Sequence, residues 1–287
     1  MENSQKLGLC WGSVPGGTLI DIATSGAANG FACITITPGH YIDARAAGLG
    51  DGEIRARLSD LGIRVSVIDP LIGVLPGTPA PGEVDPSMRR FFTYSEEDCR
   101  RAAAGVEAPT INLAHFLGRP IETAALQDKV GEIAGRNRDA GFSTTLEFIP
   151  GTGVPNLATA LSIVADIPHA GIMFDTWHFA RSDGTLDELV ALPPHAIGGM
   201  QISDRIPPAP GEPYVPMAGR LCPGEGELPL ATMLALIEKS SPGLDICLEV
   251  FSEELKAMGW GAAGARMART GRAALASAAR ELAHDVA

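Results

Sequence analysis

Three apolar segments of the sequence are each broken by one polar side chain: Glu147 in LEF, Gln201 in MQI and Glu249 in LEV. A fourth, AGIMFDTWH from Ala170 to His178, is almost wholly apolar until it reaches Asp175, Trp177 and His178. A carboxylate inside an apolar strand is costly unless it is paired or bound to a cation. Three of them converging on one axis would repel one another strongly. Two Glu, one Asp and one Gln together present only oxygen donors. That suits a hard or intermediate divalent ion, Mg²⁺ or Mn²⁺ first, with Co²⁺ or Zn²⁺ also within reach. The expectation is one such ion held by Glu147, Asp175, Gln201 and Glu249. The plainer alternative is a polar core whose acids pair with Arg64 or Arg220.

For these side chains to meet, they must leave the same end of one sheet. The pattern predicts strands at Leu7 to Val14, Phe31 to Thr37, Ile63 to Asp69 and Thr110 to His115. Further strands are expected at Thr144 to Ile149, Gly171 to Phe174, Ile197 to Ser203 and Asp245 to Phe251. Helical patterns separate them, at Thr18 to Ala28, Gly52 to Leu61, Ser95 to Val106 and Ile121 to Ala140 in the first half. In the second half they run over Asn156 to Ile167, Thr185 to Leu192, Leu228 to Lys239 and Ala262 to His284. Strand and helix alternate with crossover lengths that fit parallel pairing. The count points to a single-domain (β/α)8 TIM barrel over residues 1–287, with a doubly wound sheet as second choice. In a barrel the site lies at the carboxyl ends of the strands, where Glu147, Asp175, His178, Gln201 and Glu249 all fall. Two Pro- and Gly-rich stretches, Leu71 to Tyr94 and Arg205 to Glu225, read as long loops near that site.

Bulk properties narrow the partners. With 45% hydrophobic residues, the chain can bury one large core. A net charge of −12 argues against a nucleic-acid-binding surface. No apolar run is long enough to span a membrane, and the start, MENSQKLGLCWGSV, lacks the apolar stretch of a signal peptide. The five cysteines form no CxxC pair, so reduced thiols in a cytoplasmic protein are expected. The PGEG at Pro223 lacks the Lys-Ser/Thr of a phosphate loop, and there is no GxSxG elbow or GxGxxG fingerprint.

Five segments together, EFIPGTGVPNLATA, FDTWHFARSDG, QISD, GRLCPGEGELPL and LEVFSEEL, resemble the xylose-isomerase-like barrel family of sugar phosphate isomerases and epimerases. The resemblance is densest from Glu147 to Leu255. It implies that Glu147, Asp175 and Glu249 bind metal, that His178 contacts substrate, and that Arg220 holds a substrate oxygen. Many family epimerases carry His where this chain has Gln201. Branches with Gln there include enzymes similar to 3-dehydroshikimate dehydratase. The DNA-repair branch, rich in His around several zinc ions, fits poorly with six His and an acidic chain.

The expected activity is isomerisation or epimerisation of a small polyhydroxy ketone through an enediolate. Glu147 and Glu249, from opposite sides of the barrel mouth, would move the proton. His178 and Arg220 would orient the oxygens, with His115, Trp177 and Trp11 as further pocket residues. The same enolate chemistry with loss of a β-hydroxyl would make the enzyme a dehydratase, and a non-catalytic sugar or metal sensor is a third reading. The partner expected is a small hydroxyketone, with neither nucleic acid nor membrane involved, and a homo-oligomer is compatible with such a barrel.

Overall fold

The computed structural model describes residues 7–284 apart from 210 and 216. The strands are β1 (Leu7–Leu9), β2 (Cys33–Ile36), β3 (Arg64–Leu71), β4 (Thr110–Ala114), β5 (Ser143–Glu147), β6 (Ala170–Asp175) and β7 (Ile197–Ile202). A short antiparallel ribbon of β8 (Asp204–Arg205) with β9 (Arg220–Leu221) follows, and then β10 (Ile246–Leu248). All except the ribbon close into a parallel barrel in the order β1-β10-β7-β6-β5-β4-β3-β2. This is the (β/α)8 barrel that the alternation implies. Among the described residues, no helix is long and apolar enough to cross a membrane.

The helices are α1 (Leu19–Ala28), α2 (Pro38–Ala46), α3 (Asp51–Asp60), α4 (Glu96–Val106), α5 (Thr123–Asp139) and α6 (Leu157–Val164). They continue with α7 (Thr176–Arg181), α8 (Leu186–Val190), α9 (Leu230–Ser240), α10 (Glu253–Met258) and α11 (Trp260–His284). Their starts follow capping chemistry: Ser95 accepts from Asp98 N, and Asn156 accepts from Thr159 N. Helix α2 was not expected. Its signal is local, since Thr37 caps it, Pro38 stands at its first position, and the His40 ring returns the cap. The first and last barrel strands are shorter than the apolar runs containing them. After Leu9 the chain tightens into a one-turn 3-10 helix at Trp11–Ser13, which turns Trp11 over the barrel mouth.

Alternation along each strand decides which way the chemistry points. Phe148 and Phe174, next to Glu147 and Asp175, face the helix layer and are fully buried, with ring centroids 5.7 Å apart. Phe174 also packs on Phe179 of α7 at 5.0 Å. Burying rings of this size contributes roughly 1.5–3 kcal/mol each. That packing locks Glu147 and Asp175 on the opposite, inward face. Register then levels them: Glu147 lies beside Ala114 and Met173, Asp175 lies beside Gln201, and Glu249 N donates to Ile202 O at 3.0 Å. Gly199 leaves inner space for Met173, whose terminal methyl would lie 2.7 Å from any Cβ there.

Candidate metal and active site

At the carboxyl-end rim, two amides each bridge two carboxylates. Asn112 Nδ2 donates to Asp69 Oδ1 at 2.7 Å and to Glu147 Oε2 at 3.1 Å. Gln201 Nε2 donates to Asp69 Oδ2 at 3.0 Å and to Glu249 Oε1 at 3.1 Å. Thr145 Oγ1 donates to Asn112 Oδ1 at 2.9 Å and so sets that amide's orientation. Gln201 Oε1 is left buried with no partner. Asp175 spends Oδ1 on the first turn of α7, accepting from Trp177 N at 2.6 Å and His178 N at 3.1 Å. Its other oxygen accepts from Arg220 Nη1 at 2.7 Å, while Arg220 Nη2 reaches Glu249 Oε2 at 3.0 Å.

Four buried carboxylates therefore surround one buried guanidinium, and the electrostatics follow. Burial pushes the Glu147 carboxyl well above its usual range, and the Asp69 and Asp175 charges push it further. Burial raises Glu249 likewise; Arg220 opposes that rise, and Asp175 adds to it. Burial also raises Asp69, against the three hydrogen bonds it accepts. Asp175 alone goes down: burial is the largest influence and works against its charge, but Arg220, His178 and the hydrogen bonds the carboxylate accepts together outweigh it. Burial takes the His178 imidazole down to about 4, so the ring is neutral near pH 7. One arginine leaves this cluster short of positive charge. A divalent cation would supply it: Glu147, Asp175 and His178 each offer a ligand atom within 4.8 Å of the others, and so do Cys10, Asp69 and Glu249.

A family model described as xylose isomerase-like TIM barrel matches residues 25–278. The chain belongs to that family. No curated protein matches the sequence. Among solved structures, the IolI protein with a bound zinc atom aligns with TM-score 0.79 and 15% identity, over 94% of this chain and 98% of its own. A D-psicose 3-epimerase crystallised with D-fructose aligns with TM-score 0.68 and 18% identity, over 97% of this chain and 99% of its own. The probable 3-DHS dehydratase AsbF from Bacillus anthracis aligns with TM-score 0.67 and 16% identity, over 91% of this chain and 97% of its own. At these identities the likeness is one of fold.

On this family barrel, Glu147, Asp175, Gln201 and Glu249 sit together at the rim, joined through Asn112, Asp69 and Arg220. Glu147 and Glu249 stand three strands apart around the ring, not diametrically opposed. His178 reaches Glu147 Oε1 with Nε2 at 3.3 Å, and its Nδ1 meets the Tyr214 hydroxyl at 2.8 Å. Trp11 lines the pocket and donates Nε1 to Asp69 at 3.3 Å. Arg220 is aimed at the carboxylates, and its Ser203 and Glu249 carbonyl contacts hold it there. Arg64 plays no part, pairing instead with Asp245 near the amino ends of the strands.

Two expected pocket residues lie elsewhere. Trp177 is buried beneath the site, its ring 5.1 Å from the Arg220 guanidinium carbon, and serves as a platform for that charge. His115 is fully buried and its ring nitrogens are spent: Gly153 N donates to Nδ1 at 3.0 Å, and Nε2 meets Pro76 O at 2.8 Å. Its neighbours Ala114 and Phe116 line the pocket in its place, because His115 turns outward to join two loops.

The sequence reading missed Asp69, Asn112, Tyr214 and Cys10. Asn112 interrupts TINLAH as Gln201 interrupts its own strand, and Asp69 ends a buried strand, so both carried the same signal. Cys10, whose thiol donates to Glu249 Oε1 at 3.2 Å, carried none. Tyr214 arrives on the loop between β8 and β9, where Arg181 donates to the neighbouring Pro213 O at 3.0 Å, and Asp204 organises the turn beyond that loop. That carboxylate accepts from Gly224 N, Gly226 N and Leu228 N and so folds the PGEG turn against the ribbon bearing Arg220.

Proposed function

We propose that the chain is a divalent-metal-dependent isomerase or epimerase of a small hydroxyketone. In this reading it removes and returns a proton on the carbon beside the carbonyl. The observation that carries the reading is the pairing of Glu147 and Glu249 in one pocket, both held above the usual carboxyl range, with Asp175 and His178 offering ligand atoms within 4.8 Å of that of Glu147. Glu147, Asp175, Gln201 and Glu249 would hold the ion. Bound there, it would supply Lewis-acid stabilisation of negative charge on the substrate oxygens.

The chain's own residues do the rest. A raised carboxyl range suits Glu147 and Glu249 to take up a proton and release it near neutral pH. The neutral His178 ring, with the Tyr214 hydroxyl donating to Nδ1, carries its proton on Nε2 and presents it to Glu147 Oε1. That fixes one carboxyl oxygen and leaves the other to face substrate or Asn112. Arg220 keeps Asp175 ionised and can donate to a substrate oxygen in exchange for one of its present partners. The walls, with Ile72, Phe116 and Ile149, are apolar and exclude water from the reacting carbon.

Those walls and the neutral Gln201 favour a second reading, in which the same proton removal is followed by loss of a β-hydroxyl. The fold similarity to both an epimerase and a probable dehydratase is consistent with either outcome. Both readings are tested by loading the protein with Mn²⁺ and following solvent deuterium uptake into a panel of hydroxyketones by NMR. Uptake with product mass otherwise unchanged supports the isomerase, and loss of water with a new ultraviolet absorbance supports the dehydratase. A protein that binds no divalent ion, and exchanges no substrate proton, would sink both.

A further inference from the structure

The pocket is polar only at its floor. Asp69, Glu147, Glu249, Arg220 and His178 form that floor, while Trp11, Ile72, Phe91, Phe116, Ile149 and Phe251 stand around it. A free sugar carries a hydroxyl on nearly every carbon, and each one taken out of water needs a partner. The walls offer one polar hydrogen, Trp11 Nε1–H, and Asp69 already accepts it. The floor thus matches a hydroxyketone head, and the walls match a part of the substrate that has no hydroxyls.

Size points the same way. The inner pocket holds about 60 Å³, enough for a head group alone. It opens into a groove of about 1000 Å³ between the turn after β1 and helix α2. Trp11, Met88, Phe91, Met217 and Phe251 line both, so the two form one continuous apolar surface. Around Trp11 the aromatic rings pack at ordinary contact distance, with Phe91 at 5.4 Å and Phe251 at 5.9 Å between centroids, and all three side chains are half-exposed and so leave part of each ring open to the groove. The charged groups along the groove have partners of their own: Arg90 forms a two-pronged pair with Asp43 at 2.8 and 2.5 Å, Arg57 donates to Glu53 at 2.6 Å, and Asp21 accepts from Thr18 N at 3.0 Å. His40 Nδ1 is held by Thr37, accepting from its backbone N–H at 3.1 Å.

We infer that the substrate is a hydroxyketone bearing a flat apolar ring, its polar head on the carboxylate floor and its ring in the groove against Trp11, Phe91 and Phe251. The inference deepens, and rests on, the proton-transfer reading above. Offset or edge-on aromatic contact is the geometry such a ring would adopt there.

The test compares benzyl-substituted with methyl-substituted dihydroxyacetone on the Mn²⁺-loaded full chain, reading deuterium uptake and, separately, quenching of tryptophan fluorescence. The expected result is kcat/KM at least about tenfold higher for the benzyl ketone, matching an aromatic contact of that size. Phe91→Ala should remove most of that preference, and Phe91→Tyr should restore it. Equal kcat/KM for the two ketones would overturn the inference and leave the proton-transfer reading standing. If neither ketone exchanges, but the benzyl ketone alone quenches fluorescence and does so only with an aromatic at residue 91, the groove assignment stands and the reaction assigned to the site falls. No benzyl-specific binding in either measurement would overturn the inference.

Discussion

Asp69 Oδ2 accepts the Gln201 amide at 3.0 Å, and this one contact decides which end of that amide faces the carboxylates. A carboxylate can only accept, so it draws Nε2 and turns Oε1 away from itself. Glu249 Oε1, accepting from the same nitrogen, reinforces the choice. Asp69 is thus a positioning residue for Gln201. Asp69→Asn should lower Mn²⁺ affinity about 10–100-fold, as removal of a partner behind a metal ligand does, with little change in fold. Titration calorimetry with Mn²⁺ checks this, and unchanged affinity would mean that Gln201 is oriented without Asp69.

Arg220 is the one guanidinium lining the carboxylate pocket among the described residues. Removing one partner of a buried ion pair costs about 3–5 kcal/mol. Arg220→Met should therefore lower the melting temperature sharply in metal-free protein. Added Mn²⁺ should recover part of the loss, because a second cation would then face Asp175 and Glu249. An identical loss with and without Mn²⁺ would count against an ion at this place.

Glu147→Gln preserves shape and the hydrogen bond from Asn112 while abolishing proton transfer. Solvent deuterium uptake should fall by about 10²–10⁴. Stability should hold or rise, since a buried carboxyl repelled by Asp69 and Asp175 is replaced by a neutral amide. Full turnover in this variant would remove Glu147 from its assigned role.

His40 makes stability fall on acidification. Burial takes its ring down to about 4 from an ordinary 6.5; Asp43 opposes the shift and Arg90 adds to it. The unfolded chain therefore binds a proton between those values that the folded chain refuses, so stability is complete above pH 6.5 and declines towards pH 4. The contribution is on the order of 2 kcal/mol, allowing for partial exposure of the ring. Denaturant unfolding of His40→Asn across this range should show a shallower decline. An unchanged slope would place the acid sensitivity elsewhere.

His115 links the Pro76 loop to Gly153 and is not among the residues that line the pocket. His115→Leu leaves two buried backbone groups without partners, a cost of about 1–3 kcal/mol each at most. Urea unfolding should show that loss. Once folded, the variant should keep the wild-type KM for any ketone that the wild type turns over. A raised KM with stability intact would return His115 to the substrate.

Much of this is legible in the sequence. Eight alternating strand and helix patterns prescribe a parallel barrel, because a strand buried on both faces must be covered by helices. Glu147, Gln201 and Glu249 are conspicuous because a polar residue in an apolar strand has to be accounted for. Asp69 and Asn112 obeyed the same rule and were missed, one at a strand end before Pro70 and the other read as an ordinary strand residue.

What the sequence alone determined was which residues sit at the carboxyl ends of the strands, since strand period and polarity are properties of a local run. What only the tertiary structure decided was where those side chains aim. His115 turned into a clamp and Trp177 into a platform. Asn112 and Asp69 joined the centre, and Cys10 and Tyr214 came to it from elements far off in sequence. Each of these outcomes depends on hydrogen bonds or, for Trp177, a ring–guanidinium contact across barrel strands and loops, some more than a hundred residues apart, and no local pattern encodes a partner at that distance.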